Sequence, residues 1–166
     1  MREKRLHDKP KNFLIELGAK EGYKSFSGDS ECLDIRLKKK HVEYKPDVIW
    51  KSKTSCHVFE IAFTEDWRAI VGEFTLAWLA GCSSFIVFRL ATDTMEADPE
   101  FPKSEAHFIN GLLSFLGKKF GMRWYLWTCL NGNNQLSFRD DKLNILQMLY
   151  HAWHMITEES YRFFLH

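Results

Sequence analysis

The alternation of hydrophobic and polar positions is clearest between residues 44 and 90. Two short apolar runs, VIW and CHVFEIAF, are separated by the polar segment KSKTS, which is short enough to close an antiparallel hairpin. In segment 66–80, large apolar residues recur at helical spacing, and Gly81 follows directly. The next run, SSFIVFRL, is largely apolar, as expected for a strand buried on both faces. This order predicts a hairpin, a helix and a further strand that joins the sheet in parallel through a right-handed crossover.

The segment before this hairpin carries weaker patterns. Asp8 and Pro10 are typical of a helix start, and a short apolar stripe follows until Gly22. The segment 23–31 is rich in Ser, Gly and Asp, which predicts a loop. Residues 33–44 alternate as a half-exposed strand would, and their lysine-rich middle predicts an exposed turn.

The second half of the chain predicts further elements around the same sheet. Residues 91–103 are acidic and contain two prolines, which predicts a connecting loop. An amphipathic helix is predicted over 104–120, followed by the strand RWYLWTCL, a turn at NGNN, a short return strand at QLSF and a closing helix. We therefore expect one domain over 1–166, with a core at about 11–90 and a C-terminal extension at about 104–166 packed on it.

Composition narrows the class of protein. Hydrophobic residues make up 45% of the 166-residue chain and aromatic residues 15%, which indicates a folded globular domain. The formal net charge is only +1, so a nucleic-acid partner would have to be met by a local basic patch. The N-terminus lacks an apolar signal segment, and no apolar run reaches about 18 residues, which predicts a soluble cytoplasmic protein without a membrane partner.

The cysteines are widely spaced and contain no CxxC pair, which argues against a zinc site. Free thiols in a reducing compartment are the simpler interpretation. The four residues are Cys32, Cys56, Cys82 and Cys129.

Asp47 and Glu60 are the candidate functional residues. Asp47 follows Pro46 in the first hairpin strand and Glu60 lies in the middle of the second, so the hairpin would place the two carboxylates side by side. A carboxylate on an otherwise apolar strand needs a hydrogen bond, an ion pair or a metal, since burying it unpaired costs on the order of several kcal/mol. Paired carboxylates on adjacent strands suit divalent-metal phosphodiester chemistry. The sequence therefore predicts a site for Mg²⁺ or Mn²⁺ between these two residues.

The order of elements over about residues 11–90 resembles the PD-(D/E)XK nuclease superfamily, which includes restriction enzymes, archaeal Holliday-junction resolvases and RecB-type exonuclease domains. The matching order is helix, strand, the Pro46-Asp47 strand, the Glu60 strand, helix, strand. The resemblance implies an α/β fold with a restriction-endonuclease-like αβββαβ core, in which helices flank a central mixed sheet, extended by C-terminal helices and a strand. It also implies that Asp47 and Glu60 hold one or two divalent ions that activate water and stabilise the transition state.

The chain departs from the family motif at Ala62, where the family carries a lysine. A methyl group can neither orient nor deprotonate the attacking water. Because this lysine migrates within the superfamily, three residues remain open as replacements. Lys45 ranks first, since strand periodicity points it toward Asp47. Arg68, one turn into the following helix, ranks second because arginine stabilises charge but is a poor base, and Lys53 on the hairpin loop is the third.

Other acids are weaker candidates. Glu16 lies beside the apolar stripe of the first helix, where resolvase-like members of the family carry an additional metal-binding acid, although a solvated surface glutamate is the more frequent case. Glu73 lies on the helix from which some family members contact the site, but an ordinary exposed helix charge is the preferred interpretation. Asp140 and Asp141 precede a predicted helix, and capping is preferred for them.

Basic residues cluster on both sides of Asp47 and predict a phosphate-binding patch for DNA. Lysines also guard exposed strand edges against pairing with other chains, which is a nearly equal alternative. The predicted nucleic-acid-binding residues are Arg36, Lys38, Lys39, Lys40, Lys51 and Lys53, accompanied by His41 and Lys45.

Two classes of function fit these features. The first is a divalent-metal-dependent deoxyribonuclease, with structure specificity suggested by the resolvase-like order of elements. The second is a catalytically degenerate DNA-binding or assembly protein of the same fold. A third interpretation treats Glu60 as a structural acid that is ion-paired with Arg68 or Lys45. The apolar C-terminal segment is compatible with a homodimer and equally with packing on its own core.

Overall fold

The computed structural model describes residues 2–62, 67–90 and 101–129. These residues form three helices and seven strands. In chain order the elements are α1 (Arg2–Lys20), β1 (Lys24–Phe26), β2 (Leu33–Leu37), β3 (Lys40–Tyr44), β4 (Val48–Lys51), β5 (Cys56–Ala62), α2 (Trp67–Leu79), β6 (Ser84–Leu90), α3 (Phe101–Phe120) and β7 (Arg123–Cys129).

The described strands form a mixed five-stranded sheet in the order β1-β4-β5-β6-β7. β1 pairs antiparallel with β4, and β4 pairs antiparallel with β5, as the short KSKTS connection predicted. β6 and β7 continue the sheet in parallel. β2 and β3 form a separate antiparallel hairpin that leads directly into β4. The expected α/β architecture with a mixed sheet is therefore confirmed.

The two faces of the sheet carry different apolar clusters because successive strand residues point to opposite sides. On one face Val58 and Ala62 of β5 pack in a cluster with Ile70 of α2 and Ile109 of α3. The β2–β3 hairpin contributes to the same cluster through Ile35. Glu60 lies between Val58 and Ala62 in the alternation, so its side chain belongs to this α2 face.

On the other face, aromatic residues fill the space beneath α1. Trp50 of β4 lies 4.6 Å from Phe59 of β5 between ring centroids, and its indole Nε1 donates a hydrogen bond of 2.9 Å to the carbonyl oxygen of Leu14. Gly18 of α1 lies directly over Trp50, where a Cβ atom would overlap the indole ring. The absence of a side chain at Gly18 therefore allows α1 to approach the sheet closely.

Three boundary predictions are wrong. The first helix begins at Arg2, well before Pro10, because the charged N-terminal segment is rich in good helix formers and outweighs the one hydrogen bond that proline removes. The predicted loop 23–31 contains β1, a strand of three residues that depends on its pairing with β4. α3 begins at Phe101, a few residues earlier than predicted.

Several predictions concern residues outside the described segments. They are the NGNN turn, the QLSF strand, the closing helix, and Asp140 and Asp141. Cys32, Cys56 and Cys82 are described and carry free thiols, as predicted. Within the described segments, no helix has the length and apolar character that crossing a bilayer requires.

Candidate carboxylate site

The hairpin of β4 and β5 brings Asp47 next to Glu60. Val48 pairs with Phe59 across the two strands, so the residue before Val48 and the residue after Phe59 lie opposite each other. The side-chain Oδ2 of Asp47 accepts a hydrogen bond of 2.7 Å from the backbone N–H of Ile61. The Asp47 carboxylate therefore accepts a hydrogen bond from the β5 backbone and lies beside Glu60.

The backbone at Pro46 is held by the loop that precedes β2. Gly28 donates its N–H to the carbonyl oxygen of Pro46 at 3.0 Å. A Cβ atom at Gly28 would overlap this carbonyl and the backbone of Lys45, so the close approach requires glycine. The position of Asp47 thus depends on a tight backbone contact from a distant part of the sequence.

Glu60 is buried, with 6% of its surface exposed. Its Oε1 accepts a hydrogen bond of 2.5 Å from the hydroxyl of Tyr44, the last residue of β3. Burial, followed by the charges of Glu73 and Asp47, raises the pKa of Glu60 well above its usual range, although the Tyr44 hydrogen bond acts in the opposite direction. Tyr44 therefore partly satisfies a carboxyl group that its surroundings push toward the protonated form.

Glu73 of α2 is the third carboxyl group at this site. It is only half-buried on the helix, yet burial and the charge of Asp47 raise its pKa to about 7. Burial, followed by the charge of Glu60, the hydrogen bond to Glu60 and the charge of Glu73, raises the pKa of Tyr44. The preferred interpretation of Glu73 as an ordinary exposed helix charge is wrong, because its helix packs over the sheet face that carries Glu60.

The site has the chemistry of a hard-cation site, although the described residues include no group of three His, Cys, Asp or Glu side chains arranged to hold a metal ion. Carboxylate oxygens are the ligands that Mg²⁺ prefers, and one or two of them suffice when water and substrate phosphates complete the coordination shell. A divalent cation would also offset the repulsion that raises the pKa of Glu60 and Glu73. Asp47 and Glu60 carry oxygen atoms of the kind that the predicted ion requires, and Glu73 is an additional acid whose pKa responds to Asp47; metal binding stays a prediction.

The three proposed replacements for the motif lysine are all exposed, whereas Glu60 is buried. Lys45 is exposed, and its Nζ lies 3.6 Å from Oε2 of Glu43. It precedes β4 rather than belonging to a strand, so the alternation used to point it toward Asp47 does not apply. Arg68 is exposed on α2 and its guanidinium packs 5.2 Å from the Trp67 ring centroid.

The motif position at Ala62 is itself buried. Its side chain is 8% exposed and belongs to the apolar cluster on the α2 face. The alternative ion pair of Glu60 with Lys45 or Arg68 is also absent from the described hydrogen bonds of Glu60, whose side-chain partner is Tyr44.

Glu16 lies exposed on α1, and the acids that raise the pKa of Glu60 are Glu73 and Asp47. The role of Glu16 as a metal ligand therefore stays a prediction.

The predicted basic patch is divided between two hairpins. One group is exposed on the β2–β3 hairpin and consists of Arg36, Lys38, Lys39 and Lys40. Lys51 and Lys53 are exposed at the β4–β5 turn, where they line a shallow cleft of about 610 Å³ together with Lys24. Lys51 follows Asp47 by four positions along extended chain, which corresponds to roughly 13 Å. The β4–β5 lysines therefore lie at the opposite end of the hairpin from the carboxyl groups.

Sequence patterns did not identify Tyr44 or Gly28 as parts of the site. Tyr44 and Val42 point inward from alternate positions of β3. This alternation is visible in the sequence, but it indicates only ordinary core packing. Gly28 lies in a segment of turn-forming residues, and nothing in the local pattern indicates its contact with Pro46.

Comparisons with known proteins return no match for this chain among protein-family models, curated protein sequences or solved structures.

Proposed function

We propose that this chain is a divalent-metal-dependent nuclease that hydrolyses phosphodiester bonds of DNA, with Asp47 and Glu60 as its metal-binding residues. The observation that carries the proposal is the Asp47 carboxylate, which is hydrogen-bonded to the residue that follows the buried Glu60. Burial and the charges of neighbouring acids raise the pKa of Glu60 and Glu73, which supports the same site. Carboxyl groups held together at such a cost are typical of functional sites. A bound divalent cation would relieve this cost.

The order of the described elements supports a restriction-endonuclease-like core. A helix precedes the hairpin of β4 and β5, Pro46 and Asp47 lie directly before β4, and Glu60 lies within β5. α2 then connects β5 to β6, which pairs with β5 in parallel. This order agrees with the resemblance to the PD-(D/E)XK superfamily over the hairpin, α2 and β6, and differs from it in the β2–β3 hairpin, which lies outside the five-stranded sheet.

The residues of the chain divide the expected work. Asp47 and Glu60 would hold Mg²⁺ or Mn²⁺, while Tyr44 orients the Glu60 carboxylate through its hydroxyl. The ion, when bound, lowers the pKa of a coordinated water and stabilises charge on the phosphate. Lysines of the β2–β3 hairpin and of the β4–β5 turn would contact the DNA backbone at a distance from the carboxyl groups.

Nuclease assays with matched variants test the proposal. The purified protein is incubated with branched, single-stranded and duplex DNA in Mg²⁺ and in Mn²⁺, beside Asp47→Asn and Glu60→Gln. Glu43→Gln is the control, because this acid lies on the neighbouring strand with an exposed side chain. We expect cleavage by the unaltered protein and by the control, and a loss of at least about 100-fold in the two site variants. Cleavage that survives both site substitutions would contradict the proposal.

The second candidate function is a DNA-binding protein of the same fold that does not cleave. The buried alanine at position 62 and the contact of the exposed Lys45 with Glu43 favour it, because neither position provides a lysine beside the buried Glu60. Metal-dependent DNA binding without cleavage of any substrate would support this candidate. An increase in cleavage on Ala62→Lys would then show that the missing lysine accounts for the inactivity.

A further inference from the structure

Cys56 and Cys82 meet at the end of the sheet opposite the carboxyl groups. Cys56 begins β5, whereas Glu60 lies four residues further along the same strand. The backbone N–H of Ser83 donates a hydrogen bond of 2.7 Å to the Cys56 carbonyl oxygen, and the Cys56 N–H donates one of 3.0 Å to the Ser83 hydroxyl oxygen. These two bonds fix the backbone of Cys56 against the residue that follows Cys82.

The two sulfur atoms are in contact. The Sγ atoms of Cys56 and Cys82 lie 3.9 Å apart, as in a hydrogen bond between thiols. A disulfide has sulfurs about 2.05 Å apart and joins Cα atoms separated by roughly 4.4–6.8 Å. Cys82 lies two residues before β6, and the two hydrogen bonds between Cys56 and Ser83 hold this part of the backbone beside Cys56, so the sulfur atoms must approach each other by roughly 1.9 Å to form the bond.

The two thiols differ in access and acidity. Cys56 is half-buried, whereas Cys82 is buried with 9% exposed. The hydrogen bond from Cys82, opposed by burial and assisted by the charge of Lys51, lowers the pKa of the Cys56 thiol. The same hydrogen bond and burial raise the pKa of Cys82. Cys56 is therefore the accessible nucleophile, and Cys82 is placed behind it.

We propose that Cys56 and Cys82 are a redox-active thiol pair that is converted to an intramolecular disulfide by a low-molecular-weight disulfide such as oxidised glutathione. The Cys56 thiolate attacks one sulfur of the oxidant, forming a mixed disulfide and releasing one thiolate. Cys82 then loses its proton and attacks the Cys56 sulfur, which forms the Cys56–Cys82 bond and releases the second thiolate. The oxidant is reduced to two thiols, which take up the two protons lost by the protein.

This site is independent of the proposed nuclease activity, because it uses neither Asp47 nor Glu60. The fully reduced chain has four thiols. Its oxidised form would have two, since one disulfide consumes a pair. The two cysteines are 26 positions apart, so no sequence pattern indicates that they are in contact.

Thiol counting under native conditions tests the proposal. The full chain is equilibrated with mixtures of reduced and oxidised glutathione, quenched in acid, unfolded and alkylated with N-ethylmaleimide. Intact mass then gives the number of free thiols, and peptide mapping gives the bonded residues. We expect the oxidised protein to carry two fewer adducts and a cross-link between the peptides of Cys56 and Cys82, with all four adducts restored by dithiothreitol. Cys32→Ser should retain this cross-link, and Cys56→Ser should abolish it.

Three outcomes would overturn the proposal. They are four adducts at every ratio of the two glutathione forms, mixed disulfides that never resolve into a cross-link, and a cross-link between other cysteines. The measurement on the unaltered chain decides among these outcomes, so a variant that fails to fold does not affect the test.

Discussion

Replacement of Glu73 by glutamine is expected to stabilise the protein at alkaline pH and to have little effect at acid pH. Burial and the charge of Asp47 raise the pKa of Glu73 from 4.5 to about 7. The unfolded chain therefore releases this proton at lower pH than the folded chain does. As pH rises from about 4.5 through about 7, ionisation of Glu73 costs the folded state free energy, and the cost persists above this range.

The magnitude follows from the two pKa values. A pKa difference of about 2.5 corresponds to roughly 3.4 kcal/mol. Glu73 is half-buried, and solvent screens its interaction with Asp47. We therefore expect Glu73→Gln to raise the free energy of unfolding by about 1–2 kcal/mol at pH about 8, and by less than about 0.5 kcal/mol at pH about 4.5.

Urea unfolding followed by tryptophan fluorescence measures this difference at both pH values. Glu43→Gln is the matched control, because Glu43 is exposed and should change stability little at either pH. A Glu73→Gln variant that is less stable than the unaltered protein at alkaline pH would refute the reasoning. An equal effect at both pH values would refute it as well, since the cost of ionising Glu73 must vanish when Glu73 is protonated.

Three further predictions concern the carboxylate site. Gly28→Ala should lower the free energy of unfolding by about 1–3 kcal/mol in a urea titration, because the added methyl group overlaps the Pro46 backbone. Tyr44→Phe should cost about 1–2 kcal/mol and weaken Mn²⁺ binding in calorimetry, because it removes the hydrogen bond that opposes protonation of Glu60. Mn²⁺ affinity should rise from pH about 6 to about 8, because the ion competes with protons on Glu60 and Glu73, and a flat profile would contradict this competition.

The central part of the fold could be predicted because its signals are local. The KSKTS connection predicted the β4–β5 hairpin, and helical spacing over 66–80 predicted α2. Ser84–Leu90 carries enough apolar residues to identify a buried parallel strand. In each case the pattern within one short segment was sufficient to predict the element that the structure contains.

Features that depend on distant partners could not be predicted in this way. β1 has only three residues and exists through its pairing with β4. To predict the raised pKa of Glu73, one must know which face of α2 lies toward Asp47. To predict the contact of Cys56 with Cys82, one must know how β5 and β6 are aligned. A sequence pattern indicates which face of a helix or strand is apolar. It does not indicate which other element packs against that face, because this depends on the tertiary structure.

The separation of the basic residues into two groups also depends on the tertiary structure. In the sequence, lysines occur on both sides of Asp47 and suggest one patch. In the structure, the strand direction places Lys51 and Lys53 at the far turn of the hairpin. Extended chain moves the backbone by about 3.3 Å per residue, so a few positions in sequence become a large distance in space.

The most direct test of the account is anomalous diffraction from crystals of the protein soaked in Mn²⁺. We expect an anomalous peak within about 2.0–2.6 Å of carboxylate oxygens of both Asp47 and Glu60, and its loss in Asp47→Asn. A fully soaked crystal with no peak between these residues, or with Mn²⁺ bound only elsewhere, would contradict the assignment of this carboxyl cluster as a metal site.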